Sequence, residues 1–203
     1  MVCAGDSLTG WNNIGRPHEW PYPTYPQYLE EMCGRLKLSI ANGGIAGEIS
    51  RNGVRHVNDY LDQFPGARYF VIGYGTNDLG IWPDLERTSR RIIDHLDQMV
   101  RAVRQRRRQP ILFNVPYANE SMFNAGVARQ LHERRDYHNR RLRAHCEEHR
   151  IRLADICARL HDQHFGDALH PNGAGATIIA EEVFGVLRAL VPSPTGSGGS
   201  TRP

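Results

Sequence analysis

Along the 203-residue chain, short apolar runs alternate with longer segments whose apolar positions recur every three to four residues. The short runs predict strands at 2–4 ("VCA"), 37–42 ("KLSIAN"), 67–75 ("ARYFVIGYG"), 110–116 ("PILFNVP") and 151–156 ("IRLADI"). The periodic segments predict helices. "TYPQYLEEMCGRL" places Tyr25, Tyr28, Leu29, Met32 and Leu36 roughly on one face, and "EISRNGVRHVNDYLDQF" spaces Ile49, Val54, Val57 and Leu61 for burial. Pro83 and Asp84 suit the start of a third helix, whose stripe is Leu85, Ile92, Ile93, Leu96, Met99, Val100 and Val103. A long helix follows over about 124–150, and "GAGATIIAEEVFGVLRAL" closes the pattern.

Strands that alternate with helices imply an α/β fold: a single-domain, three-layer α/β/α sandwich around a central, mostly parallel five-stranded sheet. The domain is expected to span 1–191, with the Pro/Gly/Ser-rich stretch 192–203 as a flexible tail. In such sheets, sites form beyond the carboxyl ends of the strands. The segments to inspect are therefore 5–23, 42–48, 74–83, 115–123 and 162–172.

Composition removes several function classes. The net charge is only +3, which does not indicate a nucleic-acid partner. Lys37 is the only lysine, so arginine carries nearly all the positive charge. The basic run "RAVRQRRRQ" has no interleaved aromatic residues and reads as the exposed end of a helix, where cations favour the negative end of the dipole. Cys3, Cys33, Cys146 and Cys157 form no C-x-x-C pair. No apolar stretch reaches a membrane span and no secretory leader is spelled, so the expected compartment is the cytoplasm. The first strand starts so abruptly at Met1 that a trimmed leader would leave the same sequence.

Four loop segments carry chemistry. Gly5-Asp6-Ser7 follows the first strand and sets a hydroxyl at the sheet edge, although the G-x-S-x-G elbow is absent because Thr9 stands at its last position. A serine nucleophile needs a base. Of ten histidines, His132, His138, His145 and His149 lie in charged helical stretches and read as solvated. His170 differs: it sits in "GDALHPNGAG", three residues after Asp167, a spacing that puts carboxylate and imidazole on the same side of a turn. Gly47 in "NGGIAGE" offers a backbone N–H with no side chain beside it, and Asn77 in "GTND" offers an amide donor. Trp11, Trp20, Trp82 and Tyr117 fall in these same loops and are the candidate substrate contacts.

Together, Gly5-Asp6-Ser7-Leu8, Gly47, Asn77 and Asp167-x-x-His170 resemble the four sequence blocks of the GDSL/SGNH hydrolase family, in order, over 2–190. The resemblance implies Ser7 as nucleophile, His170 as base, Asp167 as its orienting partner, and Ser7 N–H, Gly47 N–H and the Asn77 amide as oxyanion donors. It implies a serine esterase for a small-molecule carboxylic ester, short-chain or an acetylated sugar, with no metal or cofactor. Two alternatives share the site or the fold: an acyltransferase, and a non-catalytic binding protein. The motif "HCEEH" lacks the glutamate that the zinc-protease pattern needs after its first histidine, and "NGGIAGE" lacks dinucleotide-loop spacing.

Overall fold

A computed structural model describes residues 1–10, 21–81 and 83–191. Five strands, β1 (Val2–Gly5), β2 (Ala41–Gly44), β3 (Tyr69–Gly73), β4 (Gln109–Phe113) and β5 (Arg152–Ala154), form one sheet in the order β2-β1-β3-β4-β5. Every pairing is parallel. The described helices are α1 (Ser7–Gly10), α2 (Tyr25–Cys33), α3 (Ser50–Gln63), α4 (Thr76–Ile81), α5 (Leu85–Gln105), α6 (Ala125–Glu148) and α7 (Gly173–Arg188).

Strand alternation explains the three layers. Successive side chains of a strand point to opposite faces. Val2, Ala4, Phe70, Ile72 and Leu112 therefore pack on one face, against Val57 of α3, Leu96 and Met99 of α5, and Leu142 of α6. Cys3, Tyr69, Val71, Ile111 and Phe113 pack on the other, against Leu29 of α2 and Ile179 and Val183 of α7. A sheet buried on both faces needs continuous apolar strands, which is why β3 and β4 are legible as unbroken runs. The predicted stripe of α5 is buried from Ile92 to Val103.

Two expectations need correction. The second strand lies at Ala41–Gly44, not over 37–42. Lys37 is left-handed (φ 54°) and ends a short 3₁₀ turn, and the ladder starts only where β1 can supply a partner, at Val2 opposite Ala41. His138 is not solvated but fully buried, 3.1 Å from Ser89 Oγ through Nδ1, and burial pushes its pKa down to about 4. A neutral ring is the form that a low-dielectric interior tolerates.

The basic run is used locally. Arg101 pairs with Asp97 and Arg106 with Asp62, while Arg104 donates to the carbonyls of His149 and Arg150. No described helix is long and apolar enough to cross a membrane.

The two-sided core yields one expectation. Leu96 is 1% exposed at the centre of the α3–α5 face. Leu96→Ala should cost about 2–5 kcal/mol, read as a lower midpoint with unchanged slope in urea denaturation.

Candidate active site

Three glycines lie side by side at the carboxyl edge of the sheet: Gly44, Gly5 and Gly73 are register partners on β2, β1 and β3. A Cβ on Gly5 would stand 2.2 Å from Thr9 Oγ1 and 2.6 Å from Gly73 O, and one on Gly44 would stand 2.2 Å from Gly10 N. The missing side chains let α1 fold back tightly onto the strand ends. Asp6 makes that turn. Its Oδ1 accepts the Leu8 N–H at 3.0 Å, and its carbonyl accepts the N–H groups of Thr9 and Gly10 at 3.1 Å. Ser7 thus occupies the first position of α1, where its own N–H has no intrahelical acceptor.

The other half of the arrangement comes from the loop before α7. Ser7 Oγ lies 3.0 Å from His170 Nε2, across 163 residues of sequence. His170 Nδ1 lies 2.8 Å from Asp167 Oδ2, and Asp167 Oδ1 accepts the N–H groups of His170 and Leu169 at 2.6 and 2.8 Å. Burial alone would raise the Asp167 pKa, but the two backbone N–H groups and the His170 ring outweigh it and hold the carboxyl below its ordinary value. The loop itself is clamped: Gly166 N–H donates to His170 O at 2.9 Å, Asn119 N–H donates to Ala168 O at 3.0 Å, and Asn172 caps α7. With Asp167 accepting from Nδ1–H, Nε2 is the unprotonated nitrogen and it faces Ser7 Oγ.

Two further donors stand in the segments that follow β2 and β3. Glu48 N–H bonds Ile45 O at 3.3 Å and closes a turn whose third residue, Gly47, has φ +78°. A type II turn demands positive φ at that position, which glycine adopts without cost. Gly47 is exposed, with open space where a Cβ would stand. Asn77, in the first turn of α4, donates through Nδ2 to Glu48 O at 2.8 Å. That bond ties the Asn77 amide to the Gly47 turn and leaves the second amide hydrogen available.

The sequence matches the model of the GDSL-like lipase/acylhydrolase family over residues 3–178. The chain belongs to this family. No curated protein matches the sequence. Among solved structures, a carbohydrate acetylesterase family member from Sinorhizobium meliloti aligns with a TM-score of 0.70 at 18% identity, covering 93% of this chain and 97% of that one. A catalytic mutant of an acetylxylan esterase from Geobacillus stearothermophilus aligns at 0.67 and 21%, covering 92% of each chain. A GDSL-like lipase from Bacteroides thetaiotaomicron aligns at 0.69 and 16%, covering 94% and 88%. The shared fold is the SGNH-type α/β/α sandwich.

This GDSL hydrolase holds together Ser7, His170 and Asp167, and it ties Asn77 to the Gly47 turn. The Tyr117 ring stacks on His132 at 4.2 Å and lines a cavity of about 200 Å³ with Asn139 and Cys157, whose lining does not include Ser7 or His170. Trp11, Trp20 and Trp82 lie outside the described residues. Beside Ser7 and His170, on the α7 side, the enclosed space is only about 10 Å³, walled by Leu8, Thr24 and Ile179.

One group of residues was missed by the sequence reading. Asp78, 5% exposed, accepts Ser50 N–H at 2.9 Å and Ser50 Oγ–H at 2.7 Å. Ser50 has one hydroxyl proton, so Ser50 Oγ in turn accepts from His95 Nδ1 at 2.9 Å. This chain staples the start of α3 to α4 and so holds the Gly47 turn beside Asn77. Its only local trace is the acid directly after Asn77 in "GTND".

Asp6 is buried, and that burial, with Asp78 nearby, raises its pKa to about 7 despite the Leu8 N–H bond. A raised carboxyl pKa in the fold is a penalty that begins where the unfolded carboxyl ionises and grows as pH rises. Asp6→Asn should therefore stabilise the enzyme, by the order of a few kcal/mol at pH 8 and little near pH 4. Thermal melts across pH 4–8 check it through a flatter pH dependence in the variant. Asp78→Ala leaves both Ser50 donors unpaired and should cost about 1–3 kcal/mol in denaturant titrations.

Proposed function

We propose that this GDSL hydrolase is a serine esterase that cleaves short-chain carboxylic esters, acetylated sugars included. The observation that carries the reading is the continuous hydrogen-bonded chain from Asp167 through His170 to Ser7. Two of the fold's neighbours, a carbohydrate acetylesterase family member and an acetylxylan esterase, support the acetyl-ester class.

In this mechanism Ser7 Oγ attacks the ester carbonyl carbon while His170 Nε2 takes the hydroxyl proton. The carbonyl electron pair moves to oxygen. The oxyanion accepts hydrogen bonds from Ser7 N–H, Gly47 N–H and the free Asn77 amide hydrogen, donors fixed before the substrate arrives. Collapse breaks the bond to the alcohol, whose oxygen takes the proton from His170. Water then repeats the sequence on the acyl-enzyme and releases the acid. Asp167 stays ionised throughout and stabilises the imidazolium, the role for which its lowered pKa suits it.

The test is Ser7→Ala on 4-nitrophenyl acetate together with labelling by a fluorophosphonate. The variant should lose at least about 10⁴-fold in kcat/KM and all labelling. Full turnover in the variant, or label on another residue, would discard the assignment. Product analysis with added alcohols or sugars separates hydrolysis from acyl transfer.

A further inference from the structure

A cleft of about 590 Å³ opens between the amino ends of α3 and α5. In a parallel sheet the helices that follow strands begin at the carboxyl edge, the same edge that carries Ser7. Two wall residues place the cleft beside the oxyanion donors. Asp78 follows Asn77 directly, and Ile49 lies two residues beyond Gly47. On the α7 side of Ser7, by contrast, the described residues leave almost no room.

Three arginines and a histidine, Arg51, Arg87, Arg91 and His95, stand among the remaining wall residues. Burial lowers the pKa of His95, Asp78 and Asp94 oppose that shift, and Arg51 and Arg91 add to it, which places both guanidinium groups near the ring. Asp78 and Asp84 also line the cleft, held by neutral donors, Ser50 for Asp78 and the backbone N–H of Arg87 for Asp84 as the cap of α5, so three guanidinium groups stand against two carboxyls there. Among the described residues, no ion pair or side-chain hydrogen bond engages the guanidinium of Arg51, Arg87 or Arg91. Other arginines are tethered, as Arg101, Arg106, Arg143 and Arg159 are by carboxylates and Arg104 by carbonyls, whereas Arg55, Arg90 and Arg152 are no more engaged than Arg51, Arg87 and Arg91; what sets the latter three apart is that they line one cleft. Three free guanidinium groups around one cleft at a reactive edge form a site for an oxyanion, because the planar fork matches carboxylate and phosphate geometry.

We infer that the Arg51–Arg87–Arg91 cleft binds an anionic group of the substrate, so that the preferred ester carries a carboxylate or a phosphate. This rests on the esterase reading above for its chemistry, but not for its binding.

Two measurements test it. The first is calorimetric titration of glutarate, and separately of inorganic phosphate, into the Ser7→Ala chain, where no turnover interferes. The second is the ratio of kcat/KM for 4-nitrophenyl glutarate over neutral 4-nitrophenyl butyrate, and for 4-acetoxybenzoate over phenyl acetate. The two pairs place the charge on the acyl and alcohol sides. At least one anion should bind, and at least one ratio should favour the charged ester by about tenfold or more, the size of one charge-assisted hydrogen bond. Arg51→Gln and Arg91→Gln should each lower both readouts by about tenfold, and Arg91→Lys by less. Arg188→Gln, at the far end of α7, serves as the control for net charge and should change neither by more than about twofold, as expected of a distant exposed charge. Ratios near one, or ratios that survive the double substitution Arg51→Gln/Arg91→Gln in a chain with normal melting, would overturn the inference. Anion binding that is lost in that double variant, with no ester hydrolysed by the native chain, would overturn the esterase reading and uphold the anion site.

Discussion

Parallel strands must all leave the sheet at one edge, and this molecule depends on how closely the chain can crowd there. Three adjacent strand ends, Gly44, Gly5 and Gly73, carry no side chains, and a Cβ on Gly73 would stand 1.7 Å from the Phe113 ring. The space that Gly5 and Gly44 leave is filled mainly by Thr9 and Gly10 of α1, and the space at Gly73 by the Phe113 ring. Ser7 is therefore held by backbone packing from below and needs no long side chain to aim it. His170 reaches it from the last loop because α7 starts one turn beyond, at the same edge.

Two short crosslinks complete the frame. Asn77 to Glu48 O and Asp78 to Ser50 run in parallel from consecutive residues of α4 to consecutive parts of the β2–α3 connection. The first sets the orientation of the amide, since its oxygen cannot face the Glu48 carbonyl. The second fixes the distance between the two segments. Donors held in this way need no rearrangement as charge develops on a substrate oxygen, which is the condition under which such groups contribute most. Asp6 shows the opposing cost. Its carboxyl stands in the same crowded edge, removed from water, and its raised pKa reflects the cost of holding the charged form there.

The sequence showed the layers and the loop chemistry well, and the tertiary links poorly. β3 and β4 are legible because a doubly covered strand is apolar throughout. β2 is not, because "ANGG" has no apolar pattern and becomes a strand only by pairing with β1. Ser7, Gly47, Asn77 and the Asp167–His170 pair stood out because each belongs to a local turn with a recognisable residue order. His138 was misread because charge is a poor guide to burial on α6: Arg140 is exposed, but Arg135 is buried with His138, which turns inward to Ser89. The Asp78–Ser50–His95 chain and the arginine cleft join three separate segments, 49–51, 78 and 84–95, and no one-dimensional pattern announces such a meeting.

The glycine row also divides the molecule by how it can change. A position defined by an absent side chain has nothing to trim, rotate or exchange, so the floor beneath Ser7 is closed to gradual alteration. The arginine-lined wall is built the other way, from long side chains on helix surfaces that bear no structural load among the described residues. Divergence toward new esters would therefore be written in the wall while the floor stays as it is, and related enzymes with the same chemistry can differ in taste without renegotiating their architecture.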